Sequence, residues 1–278
     1  MHYRVAGPES AKDVVVFENG WTASFPTAAW LEQTLVSKQI RVVCYDRVGI
    51  GESKSTEPLT PARITEQLLA LLAGLGITQP VVVAGHSYGG LIAALHAAQA
   101  PGRVRALVQV DPTPEFEHAD IDKKLSATLK TIGATKFVIR LGLGGLIYSV
   151  YKELPADAYQ RVTQSRSWLI NTLEGSVPEL QLLHEIRRVI SASDHAKQCP
   201  RLVISGAEPP TERSAFMKLL ISDEALAKMM DAVQALHKRN IQFNDASRWM
   251  SLPYSHVGLI INRKAAEQVA THLLGFIR

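Results

Sequence analysis

Pro80-Val81-Val82-Val83-Ala84-Gly85-His86-Ser87-Tyr88-Gly89-Gly90-Leu91-Ile92-Ala93-Ala94 is the stretch that decides the fold. Its first half is a short, β-branched apolar run opened by proline, the composition of a strand buried on both faces. From Gly89 the pattern changes to small residues, continuing through Ala97 and Ala98, which let a helix lie close against a sheet until Pro101 and Gly102 stop it. Between strand and helix stands Gly85-His86-Ser87-Tyr88-Gly89. A nucleophilic serine must stand clear of the backbone in a tight strand-to-helix turn, and glycines two residues to either side make room for it. Gly-x-Ser-x-Gly alone is a weak pattern. Its place between a buried strand and a helix start makes Ser87 the candidate nucleophile, against the plainer reading of a glycine-rich turn that only packs the helix on the sheet.

Further apolar runs at residues 14–17, 41–45, 106–110 and 201–204 join 81–84 as expected strands, with a thinner sixth at 240–244. Helical patterns separate them. Thr60 as N-cap and Pro61 in the first turn open a helix with Ile64, Leu68, Leu71, Leu72 and Leu75 on one stripe, ending at Gly76. A closing amphipathic helix over 263–278 turns Ala266, Val269, Leu273 and Phe276 inward. The alternation predicts an α/β fold, a mostly parallel central sheet flanked by helices. From 114 to 197 the strand signal disappears and helical segments broken at 142–145, Pro155, Gly175 and Pro178 suggest an inserted helical cap. The expected organisation is a core over 1–113, a cap over 114–197 and the rest of the core over 198–278.

The net charge of +4 on 278 residues comes from Lys and Arg spread along the chain rather than from a basic block. Nucleic acid is therefore not the expected partner, although weak attraction to anionic surfaces is compatible with it. Cys44 and Cys199 stand far apart with no metal or redox spacing and read as structural. Residues 1–12 lack the features of a secretory signal, so a cytoplasmic location is expected. The most lipid-like stretch, 137–151, is interrupted by Arg140 and three glycines and is too short to span a bilayer. It reads as an apolar helix or loop over a pocket, with interfacial membrane contact as the lesser alternative.

With these features the chain resembles the α/β-hydrolase fold family over nearly its whole length, from Val14 to the final helix. Three segments besides the serine turn carry the resemblance. Glu18-Asn19-Gly20-Trp21 follows the first core strand where the family usually has His-Gly, Asn19 replacing the histidine. Asp46-Arg47-Val48-Gly49-Ile50-Gly51-Glu52-Ser53 is similar to the family's Asp-x-x-Gly-x-Gly-x-Ser turn, and here shapes a loop rather than performing chemistry. Ser255-His256 falls where the family keeps its catalytic histidine. The resemblance implies Trp21 and Tyr88 as the two oxyanion-hole amides, since the chemistry asks only for backbone N–H groups. Trp21 is equally readable as a pocket wall.

Nine histidines compete for the role of base. His86 lies inside the elbow and is expected to point away from Ser87; His96 falls in the following helix; His118, His184 and His195 fall in the cap; His237 and His272 fall at polar helical positions. His256 alone stands in a loop just before the closing helix. The acid stays open. Many family members place it after the strand that here reads Arg201-Leu202-Val203-Ile204, where this chain offers only Glu208; others take it from the end of the preceding strand, where Val110-Asp111-Pro112 offers Asp111. The missing Asp after Ile204 favours Asp111, whose plainer reading is a carboxylate fixing the turn before Pro112. Asp245 is an outsider.

The expected activity is that of a serine hydrolase cleaving a small or medium, hydrophobic carboxylic ester through an acyl-enzyme. Nothing in the motifs calls for a metal or an organic cofactor. Phe116, Phe137, Tyr148, Tyr151 and Trp168 suggest an apolar substrate, or equally a cap core. The resemblance also covers lactone, thioester, amide and C–C bond hydrolysis and cofactor-free perhydrolysis, and a non-catalytic ligand-binding or signalling protein on the same scaffold is the rival from another class.

Overall fold

The computed structural model describes residues 1–54, 57–144, 148–163, 165–207 and 223–278. Three valine-rich segments, β2 (Val14–Glu18), β3 (Arg41–Tyr45) and β4 (Val81–His86), form the centre of the sheet and are buried almost throughout. β-Branched side chains suit a pleat covered on both faces, and such coverage is what parallel strands require. With β1 (Tyr3–Ala6), β5 (Val104–Val110), β6 (Arg201–Gly206) and β7 (Arg248–Leu252) they make one sheet in the order β1-β3-β2-β4-β5-β6-β7 among the described residues. Among the described residues only the β1–β3 pair is antiparallel.

Helices cover both faces. On one side α1 (Ala29–Ser37), the short α10 (Gly258–Ile261) and α11 (Arg263–Ile277) bury Leu31, Leu35, Leu259, Val269 and Leu273 against the sheet. On the other lie α2 (Pro61–Gly74) and α3 (Tyr88–Gln99), carrying Ile64, Leu68, Leu91 and Leu95. The Thr60 side chain accepts the Arg63 N–H at 3.2 Å, which caps α2 as its sequence predicts.

Between β5 and β6 the chain is helical: α4 (Ala119–Val138) runs into a π-helical turn (Ile139–Leu143), then a 3-10 segment (Tyr148–Glu153), α5 (Ala156–Val162), α6 (Arg166–Gln181), α7 (Leu183–Ala192) and α8 (Asp194–Gln198). α7 packs Leu183, Ile186 and Ile190 into the same apolar layer as α3. α6 does not break at Gly175 or Pro178 as those residues suggest; it continues through both. The backbone bond lost at Pro178 is offset by contacts on either side of it. A Cβ on Gly175 would lie 1.7 Å from the Gly49 carbonyl oxygen, the Ser176 carbonyl accepts the Trp21 indole N–H at 2.7 Å, and Glu179 pairs with Arg47. α9 (Asp223–Asn240) precedes β7.

Two strand expectations differ from the structure. Residues 240–244 are the end of α9 and a turn, and the strand comes later, at Arg248–Leu252. It is an edge strand of mixed polarity, held partly by the Trp249 indole N–H on Ser205 Oγ at 2.9 Å, so no apolar run announces it. β1 carries no sequence signal either: it is half exposed and joins the sheet through backbone pairing with β3.

Candidate active site

The carboxyl ends of β4 and β5 supply the first two candidate side chains. Ser87 follows β4 and takes φ +54°, ψ −121°, a conformation that costs a residue with a Cβ about 1–3 kcal/mol. Its surroundings hold it there. The Ser87 N–H donates to the Val110 carbonyl at 3.0 Å, while the Ser87 carbonyl accepts from Thr113 and Gly90, each at 2.9 Å. Gly89 allows the tight turn, since a Cβ there would lie 2.1 Å from the Glu18 carbonyl oxygen. Asp111, at the same level of β5, also has positive φ, +43°, and its N–H donates to the Ile204 carbonyl at 2.6 Å.

The loop after β7 brings in His256. Its Nδ1 lies 2.6 Å from Asp111 Oδ2, although the two residues are 145 positions apart in the chain. The other carboxylate oxygen accepts the Gly206 N–H at 3.0 Å, and His237 Nδ1 stands 4.0 Å away. Burial alone would raise the pKa of Asp111. The hydrogen bond and charge of His256, then His237 and the Gly206 N–H, outweigh it and hold the carboxyl well below the usual carboxylate range. Ser87 and His256 line one cavity of about 280 Å³, together with Trp21, Leu125, Tyr151 and Ile260. No hydrogen bond joins the Ser87 hydroxyl to His256 among the described residues.

The loop after β2 closes the other side of this cavity. The N–H groups of Trp21 and Tyr88 have no acceptor among the described residues, and both residues line the cavity beside Ser87. Arg47 fixes the loop. Its Nη1 donates to the Asn19 carbonyl at 2.6 Å and to Glu18 Oε2 at 3.3 Å, its Nη2 to the Gly20 carbonyl at 3.3 Å and Glu179 Oε2 at 3.1 Å, and its Nε to Glu179 Oε1 at 2.6 Å. All five guanidinium donors are thereby used. Glu18 also accepts from the Tyr45 hydroxyl and lies 3.0 Å from His96 Nε2. Burial works to raise the Glu18 pKa, but His96, Arg47 and Tyr45 prevail and lower it. Asn19, which stands where a histidine is usual, donates its amide to the Tyr45 carbonyl at 3.0 Å and so braces the loop from behind.

Two histidines behave differently from expectation. His86 does not turn out of the site: its ring lies 4.6 Å from that of His256, its Nε2 is 2.8 Å from the His256 carbonyl, and it lines the same cavity. Burial, with His256 alongside, pushes its pKa down to about 3. His237 is fully buried rather than at a polar helical surface, bridging Ser205 Oγ at 2.8 Å and the Pro112 carbonyl at 2.7 Å behind Asp111. No local signal marks it, because those partners lie 32 and 125 positions away. Glu208 lies outside the described residues.

Among the described side chains of Phe116, Phe137, Tyr151 and Trp168, that of Tyr151 alone lines the cavity, and the side chain of Tyr148 lies outside the described residues. Trp168 packs against Leu173 on one side and the cluster of Leu154 and Ile261 on the other, Phe116 lies under the Arg239 guanidinium at 3.9 Å, and Phe137 is exposed.

The order of strands, the turn at Ser87 and the His256–Asp111 pair can be set beside known proteins. The family model described as the alpha/beta hydrolase fold matches residues 13–133. The chain has the α/β-hydrolase fold, and over those residues it is similar to that family. A lipase of Mycobacterium tuberculosis, LipV, is 36% identical over 91 residues, a match covering 33% of this chain. That match spans about a third, 34%, of the relative's length. Among solved structures, the enol-lactonase of Burkholderia xenovorans LB400 superposes with a TM-score of 0.62 at 20% identity, covering 99% of this chain and 95% of that one. A structure from a study of carboxylesterases of Nitrososphaera gargenis gives 0.66 at 18% identity, covering 99% and 93%. At those identities the likeness is one of hydrolase fold. Among the described residues no helix is long and apolar enough to cross a membrane.

Proposed function

We propose that this α/β-hydrolase cleaves a small or medium, hydrophobic carboxylic ester through an acyl-enzyme on Ser87. The observation that carries the reading is the 2.6 Å contact between His256 Nδ1 and Asp111 Oδ2 at the rim of the cavity that also holds Ser87. Asp111 accepts a hydrogen bond from Nδ1–H, which keeps that proton on Nδ1 and leaves Nε2 as the basic nitrogen. Nε2 takes the proton of the Ser87 hydroxyl as its oxygen attacks the ester carbonyl. The oxyanion meets the N–H groups of Trp21 and Tyr88, each worth about 3–4 kcal/mol in barrier height. His256 then returns the proton to the departing alcohol, and water, activated by the same nitrogen, releases the acid. The apolar lining from Leu125, Tyr151 and Ile260 favours an aliphatic or aromatic acyl or alcohol part, and about 280 Å³ limits its size.

Residues 114–197 act in this reading as the cap that shapes the substrate space. A cytoplasmic setting is consistent with Cys44 and Cys199, both buried and both free thiols. The test is turnover of p-nitrophenyl esters from acetate to octanoate, with a lactone and a thioester alongside. Hydrolysis by the wild type that is lost in Ser87→Ala and His256→Ala is the expected result. Equal, background rates in all three proteins would favour a non-catalytic ligand-binding protein instead.

A further inference from the structure

We propose that the outer face of α4 and the turn that follows it docks on the surface of an anionic phospholipid bilayer. Between residues 123 and 152 the chain carries six Lys or Arg and no Asp or Glu, a local excess larger than the net +4 of the whole chain. Most of the 30 Lys and Arg lie elsewhere along the chain, but there they are interspersed with Asp and Glu, whereas here no acidic residue offsets them. Lys123, Lys130 and Phe137 recur on α4 at seven-residue intervals, which places them within about 20° per step of one line along the helix, and all three are exposed. Of the seven exposed large apolar side chains among the described residues, four fall here: Phe137, Leu141, Leu143 and Val150. Lys136 is paired with Glu174, whereas Lys123, Lys130, Arg140 and Lys152 form no ion pair among the described residues.

Apolar side chains facing water beside unpaired cations fit one environment well. At a bilayer surface Phe137 and Leu141 enter the headgroup–acyl boundary, while the cations meet lipid phosphates and keep their stems in the apolar layer. A second copy of this chain would set two cationic faces together, and a nucleic acid offers Phe137, Leu141 and Leu143 nothing apolar to bury against. Leu125 of the same helix and Tyr151 just beyond the turn line the Ser87 cavity, so docking in this orientation sets the cavity near the layer in which apolar esters partition. That consequence rests on the hydrolase reading; the docking itself does not.

The test is co-sedimentation of the full chain with vesicles of phosphatidylcholine alone or with phosphatidylglycerol added, using wild type and Ser87→Ala so that the result is independent of chemistry at Ser87. Expected is binding to the anionic vesicles, little to the neutral ones, and release in about 1 M salt, where the screening length falls to about 3 Å. Each basic residue near such a surface is worth about fivefold in affinity. Lys123→Glu/Lys130→Glu/Arg140→Glu should thus bind at least about a hundredfold more weakly, and Phe137→Ser/Leu141→Ser also more weakly, with unchanged circular dichroism showing that both variants fold. Absence of binding to anionic vesicles, equal binding to neutral ones, or undiminished binding by the folded charge variant would each overturn the proposal.

Discussion

Asp111→Asn is the perturbation whose consequence follows most directly from the geometry. Both carboxylate oxygens act as acceptors, Oδ2 for His256 at 2.6 Å and Oδ1 for the Gly206 N–H at 3.0 Å. Asparagine of the same shape has one acceptor and one donor. Because the Gly206 N–H can only donate, the amide oxygen stays with it and the NH2 group turns to His256. Nδ1 must then accept, the ring proton moves to Nε2, and the nitrogen that should take the serine proton is blocked. The reverse rotamer restores the tautomer but sets NH2 against the Gly206 N–H, a donor facing a donor, at a cost of about 1–3 kcal/mol. That penalty alone allows about a fifth of normal turnover at most. With the lost charge beside the imidazolium, the fall in kcat should reach about 10³–10⁴, or roughly 4–5.5 kcal/mol in the barrier. KM should change little, since Asp111 does not line the cavity. The assay is steady-state hydrolysis of whichever p-nitrophenyl ester turns over best, with Glu208→Gln in parallel and expected to keep most of its activity. A kcat for Asp111→Asn within tenfold of wild type, or a larger loss in Glu208→Gln, would refute the assignment of the acid.

Other perturbations reach the supporting structure. Arg47→Met leaves the buried carboxylate of Glu179 without its cation and frees the carbonyls of Asn19 and Gly20, so urea denaturation should show a loss of about 3–5 kcal/mol; a loss below 1 kcal/mol would mean that the network does not hold the loop. Gly175→Ala forces α6 away from Gly49 and should cost about 1–3 kcal/mol, read as a lowered Tm, whereas an unchanged Tm would deny the close approach. His86 titrates near 3 when folded because it is buried beside His256, against about 6.5 when unfolded. Between those values the unfolded chain binds a proton that the folded one refuses, so stability falls as pH drops below about 6.5, by up to about 1.4 kcal/mol per pH unit. His86→Gln should flatten that slope in urea titrations between neutral and acid pH, and identical slopes would show that His86 is not the group responsible.

The parts of the fold that read clearly from sequence are those whose information is local. Buried strands announce themselves by valine runs because both faces are covered, and the elbow by two glycines that the turn cannot do without. Thr60 and Pro61 mark the start of α2 for the same reason, since a cap is a contact within one turn. What stayed hidden depends on partners remote in the chain. β1 and β7 are edge strands defined by backbone pairing, and neither carries an apolar run. His237 looks like a polar helical residue until Ser205 and Pro112 close around it. The order of the chain also cannot show that Arg47, in a glycine turn read as only shaping a loop, joins the loop of Trp21 to α6 through Glu179. Between Asp111 and Glu208 the sequence offered only a preference; Asp111 lies 2.6 Å from His256, and Glu208 lies outside the described residues.

The central claim is that Ser87 becomes a covalent nucleophile when His256 draws its proton away. It is tested most directly by treating the protein with a fluorophosphonate, digesting it and locating the adduct by mass. The account predicts one phosphonylated site, Ser87, formed rapidly in the wild type, far more slowly in His256→Ala and not at all in Ser87→Ala. An unlabelled Ser87 in folded wild-type protein, or labelling that proceeds at the same rate without His256, would contradict it.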